Sequence, residues 1–588
     1  MNLRTFNDPA QASDSERTVL NARALPKIRV LAVLPSLTED WTLLDRLAGE
    51  TNLSILIDQA VKPSLTTTSA YRLTRGGRAD LTAAFSGELR RVRPDFLLWF
   101  EDLWTFRSWR CWKVVREISP DSLVSLVLTK PFRSRSFLAN QLLRLGLSFR
   151  MIDLVLIGPA NRIFGKRCRI DPQRIAAVDS NRPNEISDLL RERLNQEEKS
   201  VLWVDPIVTT RCPSMVGLVE IVPSLRAHGW NIRALCYDVE KIEPPIEATR
   251  LPRLPGPALL QSLQFFVACN IYRFIQSAVL RKRPARIIHA TCGTDLQADM
   301  CAIHFCHRRW LQIARRAKSP WFRDWIALQM SHLFALLEQW QLRSASVKLL
   351  LPVSRAIGDV ARQCYGAHAV QKVLPNCFDE SRFNPTTRQL HRASVRNALG
   401  FSADETVFAF SSYGHYRRKG FWLIVRAFQI LAQEGARDVR LLVIGGTPTT
   451  LARLKSELAA RFPEYARWIL FVGTTSEVEK YLAAADAFLF PSYFEAFCLA
   501  EIEAAAMGLP LFVTRHPGTE MIVREGENGV WLEFDPHDIA DKIRGFARHQ
   551  FRFELPNSGE ALTKSQYADR VLSIYDDFLG EKRMENRT

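Results

Sequence analysis

The segment that says most about the fold reads Pro491-Ser-Tyr-Phe-Glu-Ala-Phe-Cys-Leu-Ala-Glu-Ile-Glu-Ala-Ala-Ala-Met-Gly-Leu-Pro510. An apolar run with the composition of a strand, Ala487-Phe-Leu-Phe490, precedes it, and a second run, Leu511-Phe-Val-Thr514, follows it. Between them, the residues from Phe497 to Met507 favour a helix. The order strand, tight turn, helix, strand predicts a parallel α/β unit whose helix N-terminus lies at the carboxyl edge of the sheet.

Three segments of the chain begin with such an apolar run and then alternate strand-like and helix-like stretches. The runs are Ile28-Arg-Val-Leu-Ala-Val-Leu34, Val201-Leu-Trp-Val204 and Val407-Phe-Ala-Phe410. Continuous apolar strands that alternate with helices are typical of parallel sheets covered on both faces. The sequence therefore predicts an α/β fold built from Rossmann-like, doubly wound domains.

The predicted organisation has five parts: a flexible tail (1–26), an N-terminal Rossmann-like domain (27–195), a second domain (200–375), a third domain (376–550) and a C-terminal segment with a closing helix (551–588). The first two domains share a strand rhythm, since Pro94–Phe100, Ser122–Lys130 and Met151–Gly158 parallel Pro284–Ala290, Asp299–His304 and Val347–Ser354. Two interpretations stay open: residues 27–195 are a degenerate copy of the second domain, or an unrelated α/β domain.

Length and composition indicate a globular protein of several domains. The chain has 588 residues, of which 47% are hydrophobic and 24% charged. No uncharged apolar run reaches the roughly 18 residues of a membrane span, and residues 1–26 lack the apolar core of a secretion signal. The 11 cysteines are scattered and do not form the pattern of a disulfide scaffold. We expect a cytoplasmic protein.

The net charge of +17 is unevenly distributed, because the excess of Lys and Arg lies in residues 1–375 and residues 376–588 are slightly acidic. A basic surface suits anionic lipid, a phosphorylated substrate, nucleic acid or simple solvation. No nucleic-acid-binding motif accompanies the charge, so we expect no nucleic-acid partner. The aromatic-rich stretches 259–280, followed by Arg281-Lys-Arg283, and 321–340 fit either a buried core or a peripheral contact with an anionic membrane surface.

Two glutamates frame the predicted helix of the opening segment. Glu495 comes directly before the helix, and Glu503 lies about two turns further along, so both can face the same cleft. Unpaired N–H groups at the helix N-terminus, over Phe497–Leu499, suit a diphosphate. The dense run Cys301-Ala-Ile-His-Phe-Cys-His307 also contains metal-ligand types, but four ligands within seven residues cannot all reach one tetrahedral ion. We predict no metal site.

Glu495 and Glu503 resemble the E-x7-E motif of family-4 retaining glycosyltransferases, the glycosyl transferases group 1, which have the GT-B fold. Further matches follow in the family's order: Leu350–Ser354, Leu374–Asp379, Arg382-Phe383, Arg418-Lys419-Gly420, Val443–Gly446, Val472-Gly473, Pro517–Glu520, Glu527–Gly529 and Ser565–Tyr575. The resemblance is clearest over residues 350–580 and fainter over 200–350. It implies a GT-B fold of two facing doubly wound domains, with the acceptor domain at 200–375 and the donor domain at 376–550, preceded by the extra N-terminal domain.

The resemblance also implies roles for individual residues. Glu503 would accept hydrogen bonds from the ribose hydroxyls, and Glu495 from hydroxyls of the donor sugar. Arg418 and Lys419 would pair with the diphosphate, together with the backbone of Phe497, Cys498 and Leu499. Fixed cations and backbone donors need no metal to stabilise the leaving group, so neither a cofactor nor a metal is expected.

Some family features differ in this chain. Ala496 and Cys498 stand where the family usually has glycines, and Asp205–Pro213 replaces its Gly-rich loop. His304 follows a predicted strand at the place of a histidine that faces the cleft in the family, so the resemblance implies contact with the reacting sugar or the acceptor.

The sequence thus predicts a retaining, metal-independent glycosyltransferase that acts on a nucleotide sugar and a glycan or lipid-linked acceptor in cell-surface polysaccharide or glycoconjugate synthesis. The alternatives are another GT-B enzyme, an epimerase or a phosphorylase, and a non-catalytic scaffold that binds sugar nucleotides or glycans.

Overall fold

The computed structural model describes residues 29–34, 52–58, 71–76, 90, 96–100, 123–128, 154–157, 175–177, 198–243, 245–279, 284–314 and 322–585. The chain divides into two compact units, Met1–Glu198 with Ile275–Pro284, and Lys199–Phe274 with Ala285–Thr588. The predicted tail at 1–26 and the basic run Arg281-Lys-Arg283 lie outside the described residues.

The first unit contains one parallel sheet of seven strands, in the order β3-β2-β1-β4-β5-β6-β7. The strands are β1 (Arg29–Leu34), β2 (Asn52–Asp58), β3 (Tyr71–Gly76), β4 (Phe96–Phe100), β5 (Leu123–Leu128), β6 (Leu154–Ile157) and β7 (Ile175–Ala177). The segments that connect them lie almost entirely outside the described residues. The doubly wound domain at 27–195 therefore stays a prediction.

The second unit begins with another parallel sheet of seven strands, in the order β12-β10-β8-β13-β14-β15-β16, and a separate two-stranded pairing of β9 with β11. The strands are β8 (Ser200–Val204), β9 (Ile207–Val208), β10 (Asn231–Cys236), β11 (Asp238–Val239), β12 (Glu247–Arg250), β13 (Ile287–Thr291), β14 (Met300–Ile303), β15 (Leu349–Pro352) and β16 (Val370–Gln371). All five residues of the central strand β8 are buried. This burial explains why the sequence of the strand is continuously apolar and does not alternate.

Helices flank this sheet. They are α1 (Val216–Glu220), α2 (Val222–Ala227), α3 (Ala258–Phe274), α4 (His307–Ile313), α5 (Phe322–Leu342) and α6 (Arg355–Tyr365). Ser354 is the N-cap of α6, and its side chain accepts a hydrogen bond from the backbone N–H of Ile357.

The sheets of the two units have the same strand order. Counted along the chain, both run 3-2-1-4-5-6-7 once the short strands β9 and β11 are set aside. The strands matched in the sequence, β4 with β13, β5 with β14 and β6 with β15, occupy the same places in the two sheets. Because this order is common among doubly wound sheets, both interpretations of residues 27–195, a degenerate copy and an unrelated α/β domain, stay open.

The third sheet has six parallel strands in the order β20-β19-β18-β21-β22-β23, and β17 pairs with β24. The strands are β17 (Cys377–Phe378), β18 (Thr406–Ser411), β19 (Val439–Ile444), β20 (Ile469–Gly473), β21 (Ala487–Phe490), β22 (Leu511–Thr514), β23 (Gly529–Leu532) and β24 (Leu562–Thr563). The helices are α7 (Pro385–Leu399), α8 (Phe421–Gln433), α9 (Pro448–Arg461), α10 (Tyr465–Trp468), α11 (Val478–Ala483), α12 (Leu499–Ala506), α13 (Pro536–Ala547) and α14 (Lys564–Glu585). The strand order reverses between β18 and β21, so a crevice opens there at the carboxyl ends of the strands.

The GT-B class, two doubly wound domains, is thereby confirmed for the second unit. The helix predicted from Phe497 to Met507 is α12, which begins and ends slightly inside those bounds. Helix α14 lies in sequence beyond the donor domain but packs into the core of the acceptor sheet, where Tyr575 Oη accepts a 3.0 Å hydrogen bond from Trp203 Nε1. The closing helix therefore returns the chain to the acceptor domain.

Candidate active site

Two loops meet at the point where the strand order of the donor sheet reverses. One follows β18 and carries Arg418 and Lys419, and the other follows β21 and leads into α12. The backbone N–H of Tyr493 donates a 2.9 Å hydrogen bond to the carbonyl of Arg418. The buried hydroxyl of Ser492 donates to the same carbonyl at 3.3 Å. These bonds fix the basic loop against the turn that contains Glu495.

Two glycines allow this close approach. Gly420 has φ +75°, and a Cβ built on it would lie 1.9 Å from the carbonyl oxygen of Pro491. A Cβ on Gly518 would lie 2.5 Å from both the Ala496 carbonyl oxygen and the Cα of Phe497. No side chain fits at either position without moving the backbone of the turn. These two glycines, at positions that match the family, therefore allow neighbouring loops to pack closely against the turn.

Glu495 and Arg418 form a largely buried ion pair in the crevice, with 3.1 Å between Arg418 Nη1 and Glu495 Oε1. The guanidinium also donates a 2.7 Å hydrogen bond to the carbonyl of Phe494 and lies 5.4 Å from the ring centre of Phe305. Burial alone would raise the pKa of Glu495, but Arg418, Lys419 and His516 outweigh it and hold the pKa below its usual value. Glu495 is therefore an anion at neutral pH.

Lys419 is the second cation of the crevice. Its Nζ lies 5.2 Å from the ring centre of Phe490, and no carboxylate of the described residues lies within ion-pair distance of it. A cation held over an aromatic ring, without a carboxylate partner, keeps its charge available for an anionic ligand.

Glu503 lies on α12, in the turn that follows the helix N-terminus. Burial raises its pKa to about 8, and Glu479 and Glu220 act in the same direction, while Arg382 and Lys419 oppose them. No hydrogen bond or ion pair of the Glu503 carboxyl group occurs within the described part of the chain. A carboxyl group that is desolvated but unpaired is expected to bind a ligand that supplies the missing hydrogen bonds.

The first turn of α12 faces the same crevice. Cys498 is its N-cap, and no side chain caps the helix there. The carbonyl of Ala496 accepts a 3.0 Å hydrogen bond from Ser354 Oγ of the acceptor domain, and the carbonyl of Phe497 accepts one of 3.2 Å from Asn376 Nδ2. With the carbonyls held in this way, the uncapped N–H groups of the first turn can bind an anion. Ala496 and Cys498, which replace glycines of the family, are accommodated as small buried side chains.

His304 is placed differently from the four charged residues. It follows β14, and its side chain forms no hydrogen bond or ion pair with Glu495, Arg418, Lys419 or Glu503 among the described contacts. Burial lowers its pKa to about 4, so the ring is neutral at pH 7. The next residue, Phe305, does reach the donor turn, because its ring lies 5.0 Å from that of Phe494.

The Cys–His run around His304 binds other protein groups. His307 Nδ1 lies 2.6 Å from Glu338 Oε1, and Tyr365 donates to the same carboxylate. Within the described residues, no three His, Cys, Asp or Glu side chains are grouped so that they could hold a metal ion. Independence from metal stays a prediction, because it concerns the reaction and not these side chains.

A buried pair that no sequence motif predicted lies beneath the site. Glu501 and His516 are fully buried, with 2.8 Å between Glu501 Oε1 and His516 Nε2. Burial raises the pKa of Glu501, and His516 opposes that effect. The available signal was that Glu501 is a second glutamate in α12, a helix whose other buried positions are Ile or Ala. Because His516 lies close enough to lower the pKa of Glu495, the pair belongs to the electrostatics of the site.

Residues 404–549 match the family model described as "Glycosyl transferases group 1". This part of the chain is similar to the domain of the group 1 glycosyltransferases. It contains Arg418, Lys419, Glu495 and Glu503, so the four charged residues that meet in the crevice all lie inside the matched region.

The D-inositol 3-phosphate glycosyltransferase of Rhodococcus opacus (strain B4) is 29% identical over 224 residues, which cover 36% of this chain and 49% of the relative. The chain thus spans about half the length of the curated relatives it matches. Among solved structures, WaaG, a glycosyltransferase involved in lipopolysaccharide biosynthesis, is similar at a TM-score of 0.47 with 17% identity, covering 59% of this chain and 90% of that one. Anabaena HepE in complex with UDP-glucose is similar at a TM-score of 0.43 with 15% identity, covering 66% and 99%.

Proposed function

We propose that this protein is a retaining glycosyltransferase that moves a sugar from a nucleotide-sugar donor to a glycan or lipid-linked acceptor in cell-surface polysaccharide or glycoconjugate synthesis. One observation carries the proposal. Lys419, Arg418, Glu495, Glu503 and the uncapped end of α12 converge on one crevice of a domain similar to that of the group 1 glycosyltransferases.

Each charged group has a task in this reaction. The diphosphate of the donor would lie against Lys419 and the N–H groups of Phe497–Leu499, where positive charge stabilises the leaving group in the transition state. Arg418 would join them by exchanging part of its pairing with Glu495 for a phosphate oxygen. Because the protein supplies these cations, the reaction needs no metal for this step.

The two glutamates would bind hydroxyl groups. Glu503 would accept hydrogen bonds from the ribose, which would favour its ionised form and offset the burial that now raises its pKa. Glu495, an anion in the present structure, would accept hydrogen bonds from the donor sugar. His304 is neutral, so it would orient a sugar or acceptor hydroxyl by hydrogen bonding and not by charge.

Retention of configuration is what the resemblance to family-4 retaining glycosyltransferases implies, and the site offers no evident enzyme nucleophile. Glu495 is the carboxylate nearest the crevice cations, and its pairing with Arg418 makes it a poor nucleophile. The acceptor hydroxyl would attack on the face from which the diphosphate departs, and the leaving phosphate oxygen would take its proton. Oxygen replaces oxygen at the sugar carbon, so the products are the glycoside and a nucleoside diphosphate.

We also propose that the protein works in the cytoplasm, peripherally at the inner membrane face. No helix within the described residues is long and apolar enough to cross a bilayer. Helix α3 instead combines two apolar faces. Phe265, Phe266 and Cys269 are buried in the core, whereas Leu260, Leu263, Val267 and Ile271 are 36–56% exposed at helical spacing. We call these four residues the α3 stripe.

A lipid surface is the occupant that the stripe fits best. Exposed apolar residues that are grouped on one helix face mark an interaction surface, whereas scattered ones do not. The sequence that follows the helix contains Arg281-Lys-Arg283, as an interfacial helix on anionic lipid requires. The basic excess of residues 1–375 acts in the same direction.

A nucleotide and nucleotide-sugar screen tests the proposed activity. A donor that binds the folded protein raises its melting temperature, and incubation of that donor with glycan and lipid-linked acceptors should release the nucleoside diphosphate. A scaffold would bind the nucleotide sugar and turn nothing over. An epimerase would return an altered nucleotide sugar, and a phosphorylase would require inorganic phosphate, so product analysis separates these enzymes.

A further inference from the structure

A cavity of about 1350 Å³ opens beside the basic loop of the donor site. Its lining includes Arg417 and Arg418 from that loop, and residues of α4 and α5 from the acceptor domain. Because Arg418 is also the partner of Glu495, the cavity adjoins the place proposed for sugar transfer. Pockets for drug-sized ligands measure about 300–1000 Å³, so this cavity has room for more than one sugar ring.

One wall of the cavity is apolar. It is lined by Trp310, Leu328, Phe334 and Leu336. The side chain of Leu336 is 42% exposed, so part of this apolar wall is open to solvent. The Trp310 ring lies 6.4 Å from that of Phe494, so the apolar wall continues as far as the donor turn. Such a wall binds a hydrocarbon chain or the face of a ring, and not a fully hydrated anion.

The charge of the cavity is positive. None of the described residues that line it is Asp or Glu, whereas Arg308, Arg417 and Arg418 contribute guanidinium groups. Arg417 lies 3.6 Å from Glu457, and Arg418 is paired with Glu495. Each of these two charges therefore has an acidic neighbour in the present structure.

Arg308 differs from the other two arginines. Its Nη1 donates a 2.8 Å hydrogen bond to the carbonyl of Cys364, and its guanidinium lies 6.0 Å from the ring centre of Tyr365. Among the described residues, no carboxylate lies within ion-pair distance of it. A cation with neutral hydrogen-bond partners, at the rim of an apolar cavity, favours a ligand that is both anionic and apolar.

From this arrangement we infer that the acceptor is an amphiphile with a phosphate-type anion, which Arg308 binds while the apolar part lies against α4 and α5. The inference rests on the proposed function and narrows its acceptor. The chemistry that the two possible sources of this ligand share is the phosphate ester. A phosphorylated lipid and a free phosphorylated metabolite are its two sources, and the presence of the apolar part distinguishes them.

The test uses the full chain and three probes, all below the micelle concentration: n-octyl phosphate, n-octyl β-glucoside and inorganic phosphate. Binding is measured by calorimetry. We expect octyl phosphate to bind saturably and more tightly than the other two. Arg308→Gln should reduce that preference by about tenfold, the value of one charge-assisted contact, and Leu336→Ser should weaken both octyl probes alike.

Arg309→Gln is the matched control, because Arg309 is the next residue of α4 and does not line the cavity. It should bind all three probes as the wild type does. Equal binding of octyl phosphate and octyl glucoside, or an undiminished preference in Arg308→Gln, overturns the inference. Inorganic phosphate binding as tightly as octyl phosphate would assign the site to a free phosphorylated metabolite and would also overturn it.

Nucleotide-dependent thermal stabilisation of each variant shows that it is folded. The same measurement distinguishes failure of the acceptor inference from failure of the proposed function. If nucleotide sugars stabilise and react while octyl phosphate does not bind, only the acceptor inference fails. If no nucleotide sugar stabilises the wild-type protein, the proposed function itself fails.

Discussion

The two halves of the second unit share one architecture but differ in how they handle charge. In the donor half, the ionisable groups of the crevice are brought together, with the ion pair of Glu495 and Arg418 beside Lys419. In the acceptor half, the buried ionisable groups are mostly satisfied internally, as in the pair of Arg273 with Asp295 and the binding of Glu338 by His307 and Tyr365. The acceptor half also exposes apolar side chains, among them the α3 stripe and Leu336.

On the proposed function, the difference shows that the donor half binds the ligand with the more fixed chemistry, a nucleoside diphosphate, whereas the acceptor varies more. A nucleoside diphosphate requires fixed cations, helix N–H groups and a carboxylate for the ribose, and these requirements leave motifs in the sequence. An acceptor is recognised by the shape and polarity of a surface, which many sequences can build. The family match accordingly covers residues 404–549 and stops short of the acceptor domain.

The largest expected effect tests the donor half directly. Lys419→Ala removes a cation without an acidic partner from the proposed diphosphate site, so kcat should fall by about 10²–10³-fold with little change in KM. Steady-state kinetics with the donor found by the screen provide the measurement. Lys455→Ala, on the exposed side of α9, is the control and should behave as wild type. Unchanged kcat in Lys419→Ala would remove this crevice from the reaction.

The second prediction concerns the pKa of Glu503. Without ligand this carboxyl has a pKa of about 8 and is mostly neutral at pH 6.5. Since ribose hydroxyls bind the ionised form, affinity for a nucleotide sugar should rise as pH increases towards about 8 and level off above it. The phosphates of a nucleotide sugar do not titrate in this range. Calorimetry across the pH series provides the measurement, and the slope should vanish in Glu503→Gln, which should also bind about tenfold more weakly at pH 8.5.

A pH-independent affinity in the wild type would show that Glu503 does not meet the ligand. An unchanged slope in Glu503→Gln would assign the titration to another group.

The third prediction sharpens the contrast with the acceptor half. Ile271→Glu places a charge in the middle of the α3 stripe and should reduce binding of the full chain to anionic vesicles by about tenfold. Flotation at low and high salt provides the measurement, and binding of the wild type should fall as salt screens the basic residues. Leu390→Glu, an exposed leucine on α7 of the donor half, is the matched control.

A different outcome would reassign the stripe. If Ile271→Glu lowers the melting temperature and the wild-type protein does not bind anionic vesicles, the stripe packs against another part of the same chain. If the variant changes the oligomeric state, it is covered by a second copy.

The smallest expected effect is that of a chelator. Because Lys419, Arg418 and the first turn of α12 are proposed to hold the diphosphate, excess EDTA should change the turnover by less than about twofold. Loss of activity that magnesium or manganese restores would mean that the leaving group is stabilised by a metal.

The sequence by itself determined the doubly wound architecture of the second unit and predicted the charged residues that meet in its crevice. Continuous apolar strands between helical segments specify parallel sheets, and E-x7-E after such a strand places one carboxyl before the following helix and one on it. These are local relations, because strand, turn and helix are adjacent in the chain. The bounds of α12 and the place of Glu495 before it follow from about twenty consecutive residues.

Only the tertiary structure decided what those residues have as neighbours. The 3.1 Å pairing of Arg418 with Glu495, the buried Glu501–His516 pair and the return of α14 to the acceptor core join residues distant in sequence. The same holds for the pKa values, since burial makes Glu503 mostly neutral while cations keep Glu495 charged. Desolvation and Coulomb interactions depend on the surroundings in space, and a motif does not encode those surroundings.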